Sequence, residues 1–168
     1  MLESLVTGIR AAVCEAATLE ETAQSVAAWL KANRPGPELL TAEQRRGNPE
    51  HYEQHVLHVE PDGSFSVVAL VWLPGQETPV HDHLAWCVVG VLEGTEHETV
   101  YRLDDHAELV RDLESQNPVG SVSCCIPPGD IHKVTNIGAE TAISLHVYGA
   151  DIGHCGSSIK RTYALDHV

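Results

Sequence analysis

From about residue 51 the chain breaks into short segments rich in valine and isoleucine. HVLHV (55–59) runs into the turn PDG, and SFSVVALVWL (64–73) into PGQ. VVGVLEG, HETVYRL, SVSCCI, HKVTNI and AISLHVYG follow, each bounded by Gly, Pro, Asp or Asn. Segments of this length and composition are strands. Many of them at short intervals, spaced by turn signals, predict an all-β sandwich or barrel.

The first third has a different period. Leu5, Ile9, Ala12, Val13 and Ala16 recur at helical spacing, as do Leu19, Ala23, Val26, Ala27 and Leu30. Thr18 followed by Glu21 is a capping-box pattern, so residues 2–33 divide into two helices, ended by Pro35 and Pro37. Residues 38–48, ELLTAEQRRGN, read as one more short helix. The expected layout is a single domain of 168 residues, 43% of them hydrophobic. A helical portion, residues 1–50, packs on a β portion, residues 51–168.

With 24 acidic and 10 basic residues, the formal charge is −14. That balance argues against nucleic acid or an anionic membrane as a partner. No run of about 18 apolar residues exists, so no membrane span is expected. The opening MLESLVTGIRAAVCEAATLEE has acids and no basic n-region, so no secretory signal is expected. The five cysteines form no CxxC, and Cys124 and Cys125 are adjacent. Free thiols in a reducing cytoplasm are the expectation.

His81 and His83 stand one residue apart in TPVHDHLAWCVVGVLEG. In a strand, residues i and i+2 project from the same face, as two ligands of one metal must. A third histidine, His132, lies in PPGDIHKVTN. Three neutral imidazoles on one side of a metal would leave its other positions open. The pair alone is weak evidence, because the chain has 11 histidines.

The surrounding spacing adds to it. Gly75, His81, His83, position 87 and Gly94 are separated by five, one, three and six residues. This resembles the first cupin motif. Pro127, Gly129, His132 and Asn136, separated by one, two and three residues, resemble the second. The resemblance covers about residues 50–155 and implies a double-stranded β-helix, a jelly-roll-like barrel holding a metal, capped here by the N-terminal helices. Two departures stand out. Cys87 replaces the glutamate that usually serves as a fourth ligand, and Gly120 sits one residue further from the proline than is usual.

The loss of that glutamate, with HDH, PPGDIH and SLHVY present together, resembles the thiol dioxygenases of the cysteine dioxygenase and 3-mercaptopropionate dioxygenase family. The resemblance implies Fe(II) held by His81, His83 and His132, with a small thiol and O2 as the partners that react to a sulfinic acid. It implies that Ser144, His146 and Tyr148, which alternate on one strand face, form a relay ending beside the metal. Cys87 occupies the position of a thioether cross-link to the tyrosine in some relatives, so a partial Cys87–Tyr148 cross-link is expected. As a plain residue, Cys87 is a small buried hydrophobe.

The resemblance divides on substrate. Cysteine-selective members carry a Tyr-x-Arg segment before the barrel; here Tyr52 is followed by Glu53 and Gln54, so Gln54 takes the arginine's place. A glutamine offers a neutral hydrogen bond rather than a charged fork. Where bacterial 3-mercaptopropionate enzymes carry an arginine after the relay strand, this chain has Ser157 and Ser158, with Lys160 and Arg161 a little later. Tyr52, Gln54 and Trp86 are the expected substrate-side residues, and Trp72 packs in the barrel or lines the pocket. Two rival readings use the same histidines: a cupin enzyme of another reaction type, and a non-catalytic cupin that binds a metal or ligand. His55, His58, His97, His106, His154 and His167 lie outside the motifs, and DDHAEL reads as a solvated turn.

Overall fold

The computed structural model describes residues 1–165; His167 lies outside the described residues. Two helices come first, α1 (Leu2–Glu15) and α2 (Leu19–Asn33). The capping box forms as expected. The Glu21 backbone N–H donates to Thr18 Oγ1 at 3.1 Å, and the Thr18 N–H donates to Glu21 Oε2 at 3.0 Å. The single helix expected over 38–48 does not form. Two 3-10 turns stand there, Pro37–Leu39 and Gln44–Arg46. The segment buries only Leu40, too little apolar surface to stabilise a nucleated helix, and Thr41 and Gln44 close a local turn on each other instead.

Ten strands follow: β1 (Glu53–Val59), β2 (Ser66–Trp72), β3 (Val80–His83), β4 (Cys87–Glu93), β5 (Thr95–Leu103), β6 (Leu109–Pro118), β7 (Val122–Cys125), β8 (His132–Thr135), β9 (Ala142–Tyr148) and β10 (Ile159–Tyr163). A short helix, α3 (Ile152–Cys155), precedes β10. One antiparallel sheet has the order β1-β2-β9-β4-β7, the other β10-β3-β8-β5-β6. The expected strands are all present. The turn at DDHAEL ends where β6 begins, its Asp104 side chain accepting from the His106 and Glu108 N–H groups.

The continuous apolar run of β2 has a structural reason. Val67, Ala69 and Val71 face one way and join Leu5, Ile9, Val26 and Leu30 of the two helices. Val68, Leu70 and Trp72 face the other way, into the space between the sheets. A strand buried on both faces loses the polar alternation of a half-exposed one. β9 obeys the same parity: Ile143, Leu145 and Val147 lie under the helices, while Ser144, His146 and Tyr148 point inward. The Gly94 corner between β4 and β5 has φ +73°, and a Cβ there would sit 2.8 Å from the Ala142 backbone. Only glycine serves both demands.

Candidate metal centre and its relay

β3 supplies His81 and His83, and β8 begins with His132, which pairs in register with His81. Ring centroids of the three lie 4.7 to 5.0 Å apart, and one nitrogen of each lies within 4.8 Å of the others. All three side chains are buried. In each ring Nδ1 is already engaged. His81 Nδ1–H donates to the Pro79 carbonyl at 2.9 Å, His83 Nδ1–H to Asp130 Oδ2 at 2.8 Å, and His132 Nδ1–H to Glu98 Oε1 at 2.6 Å. That leaves Nε2 as the free donor atom on every ring, the arrangement by which outer acceptors orient metal-binding imidazoles. Three neutral nitrogens at this spacing fit a first-row divalent cation, iron(II) among them.

Charge around the triad is uneven. Burial, together with His132 nearby, lowers the His81 pKa to about 3, which keeps that ring neutral. Burial also pulls His132 down, but Cys125 and the Glu98 carboxylate outweigh it and hold the ring up, at about 10. The proton that Glu98 holds is the one on Nδ1, so a cation would displace the proton on Nε2.

Between the histidines, Asp82 points to the other side of β3. Its Oδ2 accepts from Arg161 and, at 3.0 Å, from the Tyr163 hydroxyl. That cluster ties β10 to β3. It also occupies Arg161, one of the two cations, with Lys160, that follow β9 closely in the chain.

The relay faces the histidines from the opposite sheet. Tyr148 OH lies 3.0 Å from His146 Nδ1, and Ser144 Oγ lies 2.9 Å from His146 Nε2. Trp72 Nε1–H donates to Ser144 Oγ at 3.1 Å. Burial lowers the His146 pKa to about 3, so its imidazole is neutral. Burial and the neighbouring Cys87 push the Tyr148 phenol well up, so it keeps its proton. The Tyr148 and His83 rings are 6.3 Å apart. Cys87 is the register partner of Tyr148 on β4, and its Sγ is 3.8 Å from His146 Nδ1.

A pocket joins the two halves. Tyr52, Gln54, Trp72, Ser157 and Ser158 line it along with the three histidines, His146 and Tyr148. Among the described residues, no lysine or arginine lines it. Trp86, expected on the substrate side, is not there. It is buried beneath the helices and packs so closely on Gly149 that a Cβ at that position would lie 2.2 Å from the indole nitrogen. Trp72 is the indole in the pocket, its ring 4.5 Å from that of Tyr52.

Sequence reasoning missed Glu98, Asp130 and Glu96. Asp130 carries a signal, standing two residues before His132. Glu96 and Glu98 alternate in GTEHETV, which in a strand sends two carboxyls to one face.

Two facing antiparallel sheets with a histidine triad between them make the protein a cupin. Residues 38–158 match the family described as cysteine dioxygenase type I, and the chain belongs to that family. It is 29% identical over 105 residues to cysteine dioxygenase type 1 of Homo sapiens, covering 60% of this chain and 52% of that protein. It is 30% identical over 113 residues to the Danio rerio protein of the same description, covering 61% and 54%. The chain spans about half the length of the curated relatives it matches. Among solved structures, recombinant oxalate oxidase in complex with glycolate aligns with a TM-score of 0.50 at 17% identity, covering 71% of this chain and 63% of that one. That likeness is one of fold.

Proposed function

We propose that this protein is an Fe(II)-dependent thiol dioxygenase. It adds both atoms of O2 to the sulfur of a small thiol, cysteine or 3-mercaptopropionate, and releases the sulfinic acid. The observation that carries the reading is the pairing of a three-imidazole site with the Tyr148–His146–Ser144 chain across one pocket.

Iron(II) held by His81, His83 and His132 would supply the one-electron chemistry that O2 needs to react with a thiolate. The residues of the chain do the rest. Neutral imidazoles add no negative charge, so the site attracts a thiolate, and the substrate gives up its thiol proton on entering. Tyr148 keeps its phenol proton and presents the hydroxyl to the pocket. His146 holds Tyr148, and Ser144 holds His146. Trp72 and Tyr52, their rings in tilted contact, form an aromatic wall that excludes water and fixes the short carbon chain.

The far end of the substrate meets neutral donors: the Gln54 amide, the Tyr52 hydroxyl, and the Ser157 and Ser158 hydroxyls. A carboxylate is bound there by hydrogen bonds without a formal counter-charge, so selectivity between thiols rests on length and shape more than on a charged clamp. We read residues 1–168 as one domain, acting in a reducing cytoplasm without a nucleic-acid or membrane partner. The test is oxygen uptake by anaerobically Fe(II)-loaded protein offered L-cysteine, 3-mercaptopropionate, cysteamine and mercaptosuccinate in turn. The reading requires uptake matched by sulfinate with one of them. Absence of uptake with all four, in protein shown to hold iron, would contradict it.

A further inference from the structure

Glu96 stands at the end of the relay away from Tyr148. It projects inward from β5, is 2% exposed, and its Oε1 has no hydrogen-bond partner of good geometry. A buried carboxyl without full pairing costs free energy. Its surroundings are specific. Burial pushes its pKa up to about 7; the Ser144 hydroxyl beside it pulls the other way, Glu98 adds to the rise, and His132 and the Trp72 N–H oppose it. Among the described residues, Glu98 on its own strand and His132 on β8 are the charged or titratable groups that act on it. β2, β6 and β9 bring neutral groups: Trp72, the register partner Asn117, and Ser144.

From Ser144 the chain runs through His146 to Tyr148, at 2.9 and 3.0 Å. Every link in it is reversible. A hydroxyl both donates and accepts, and a neutral imidazole carries one N–H that sits on either nitrogen. Such a chain has two self-consistent polarities and needs something at its closed end to choose between them.

We propose that Glu96 sets the direction of this hydrogen-bond chain, and so determines whether the Tyr148 hydroxyl proton points into the pocket or back at His146. With Glu96 ionised, Ser144 O–H donates to the carboxylate. Ser144 Oγ then accepts from Trp72 Nε1–H and from His146 Nε2–H. His146 Nδ1 is left bare and takes the Tyr148 proton, so the pocket meets the phenol oxygen as an acceptor. With Glu96 protonated, every bond of the chain reverses except that from Trp72, whose Nε1–H still donates to Ser144 Oγ. Glu96 donates to Ser144, Ser144 donates to His146 Nε2, and His146 Nδ1–H donates to the Tyr148 oxygen. The phenol O–H is then free to donate to whatever occupies the pocket. The two states differ by one proton, on Glu96, and no covalent bond other than those to hydrogen changes. Glu96 is a positioning residue, acting on the pocket only through Ser144 and His146.

What this switch does for turnover rests on the thiol dioxygenase reading; the polarity itself does not, and the experiment separates them. Protein loaded with diamagnetic Zn(II) is labelled with 13C at glutamate carboxyls and at tyrosine Cζ. Glu96→Gln identifies the Glu96 signal and Tyr148→Phe the Tyr148 signal. In wild type the two signals should titrate together, with one midpoint near pH 7. Glu96→Gln should abolish the Tyr148 step. Ser144→Ala, which leaves Glu96 in place, should preserve the Glu96 step and disconnect Tyr148 from it. A Tyr148 signal that ignores Glu96, or that follows it undiminished in Ser144→Ala, would overturn the proposal. Coupling in the zinc protein together with no thiol oxidation by the iron protein would uphold the relay and count against the enzymatic reading.

Discussion

Oε1 of Glu98 lies 2.6 Å from Nδ1 of His132, and that contact leaves Nε2 to face the triad. Asp130 does the same for His83 at 2.8 Å. Partners of this kind fix the tautomer and raise the basicity of a metal-binding imidazole. Glu98→Gln and Asp130→Asn should each weaken metal binding by roughly 10- to 100-fold while the protein stays folded. Chelator competition with the purified variants measures this. His81→Ala, His83→Ala and His132→Ala should lose the metal outright, and full metal content in any of the three would refute its assignment as a ligand.

Tyr148→Phe removes one hydroxyl and leaves the three imidazoles untouched. Metal content should match wild type, and turnover should fall on the order of 100-fold, the scale for deleting one aligned hydrogen-bond donor at a reacting centre. Parallel metal analysis and steady-state kinetics separate the two effects. Wild-type kinetics in this variant would remove Tyr148 from the chemistry.

Cys87 and Tyr148 are register partners directly opposite each other on adjacent antiparallel strands, within reach of a side-chain contact. A fraction of protein that has turned over should carry a thioether between them, two hydrogens lighter than the separate residues, with O2 as the oxidant that takes up the two electrons. Peptide mass spectrometry should find it, and Cys87→Ala should abolish it. Only unmodified Cys87 and Tyr148 peptides after turnover would exclude the cross-link.

Glu96 makes stability depend on pH. Its folded-state pKa, about 7, lies above the ordinary value of 4.5, so the fold prefers its protonated form. The native state therefore holds the proton more tightly than the unfolded chain, and this contribution is lost as pH rises from about 4.5 through 7. At 1.36 kcal/mol per unit the full loss is roughly 3 kcal/mol. Glu96→Gln carries no such charge, so denaturant melts at pH 5 and pH 8 should differ less for the variant than for wild type. An equal difference in both proteins would place the pH dependence elsewhere.

The fold was legible wherever burial imposes a period. The helix pattern of α1 and α2, the capping pair Thr18 and Glu21, and the apolar runs of β2, β4 and β9 all reflect faces packed against something. β6 and β10 were not legible because they are edge strands with mostly exposed side chains, and LVRDLESQNP and IKRTY show no apolar alternation. The segment at 38–48 misled because helix-favouring residues there bury almost nothing. At the site, His81, His83 and His132 were legible from spacing, and Ser144, His146 and Tyr148 from alternation. Glu98 and Glu96 were not, because an acid in a strand reads as solvent-facing until the sheet opposite it is known. Trp86 was misplaced for a related reason. It follows His83 closely in sequence, but the chain turns at Leu84 and Ala85 and carries it to the far side of the sheet, under the helices.

The proposed function requires the pocket between His81, His83, His132 and Tyr148 to deliver both atoms of one O2 molecule to a thiol. The most direct measurement is turnover of Fe(II)-loaded protein under 18O2 with the preferred thiol, followed by mass analysis of the product. The product should be a sulfinate carrying two 18O atoms, formed one for one with O2 consumed. A product with one labelled oxygen, or disulfide as the main product, would contradict it.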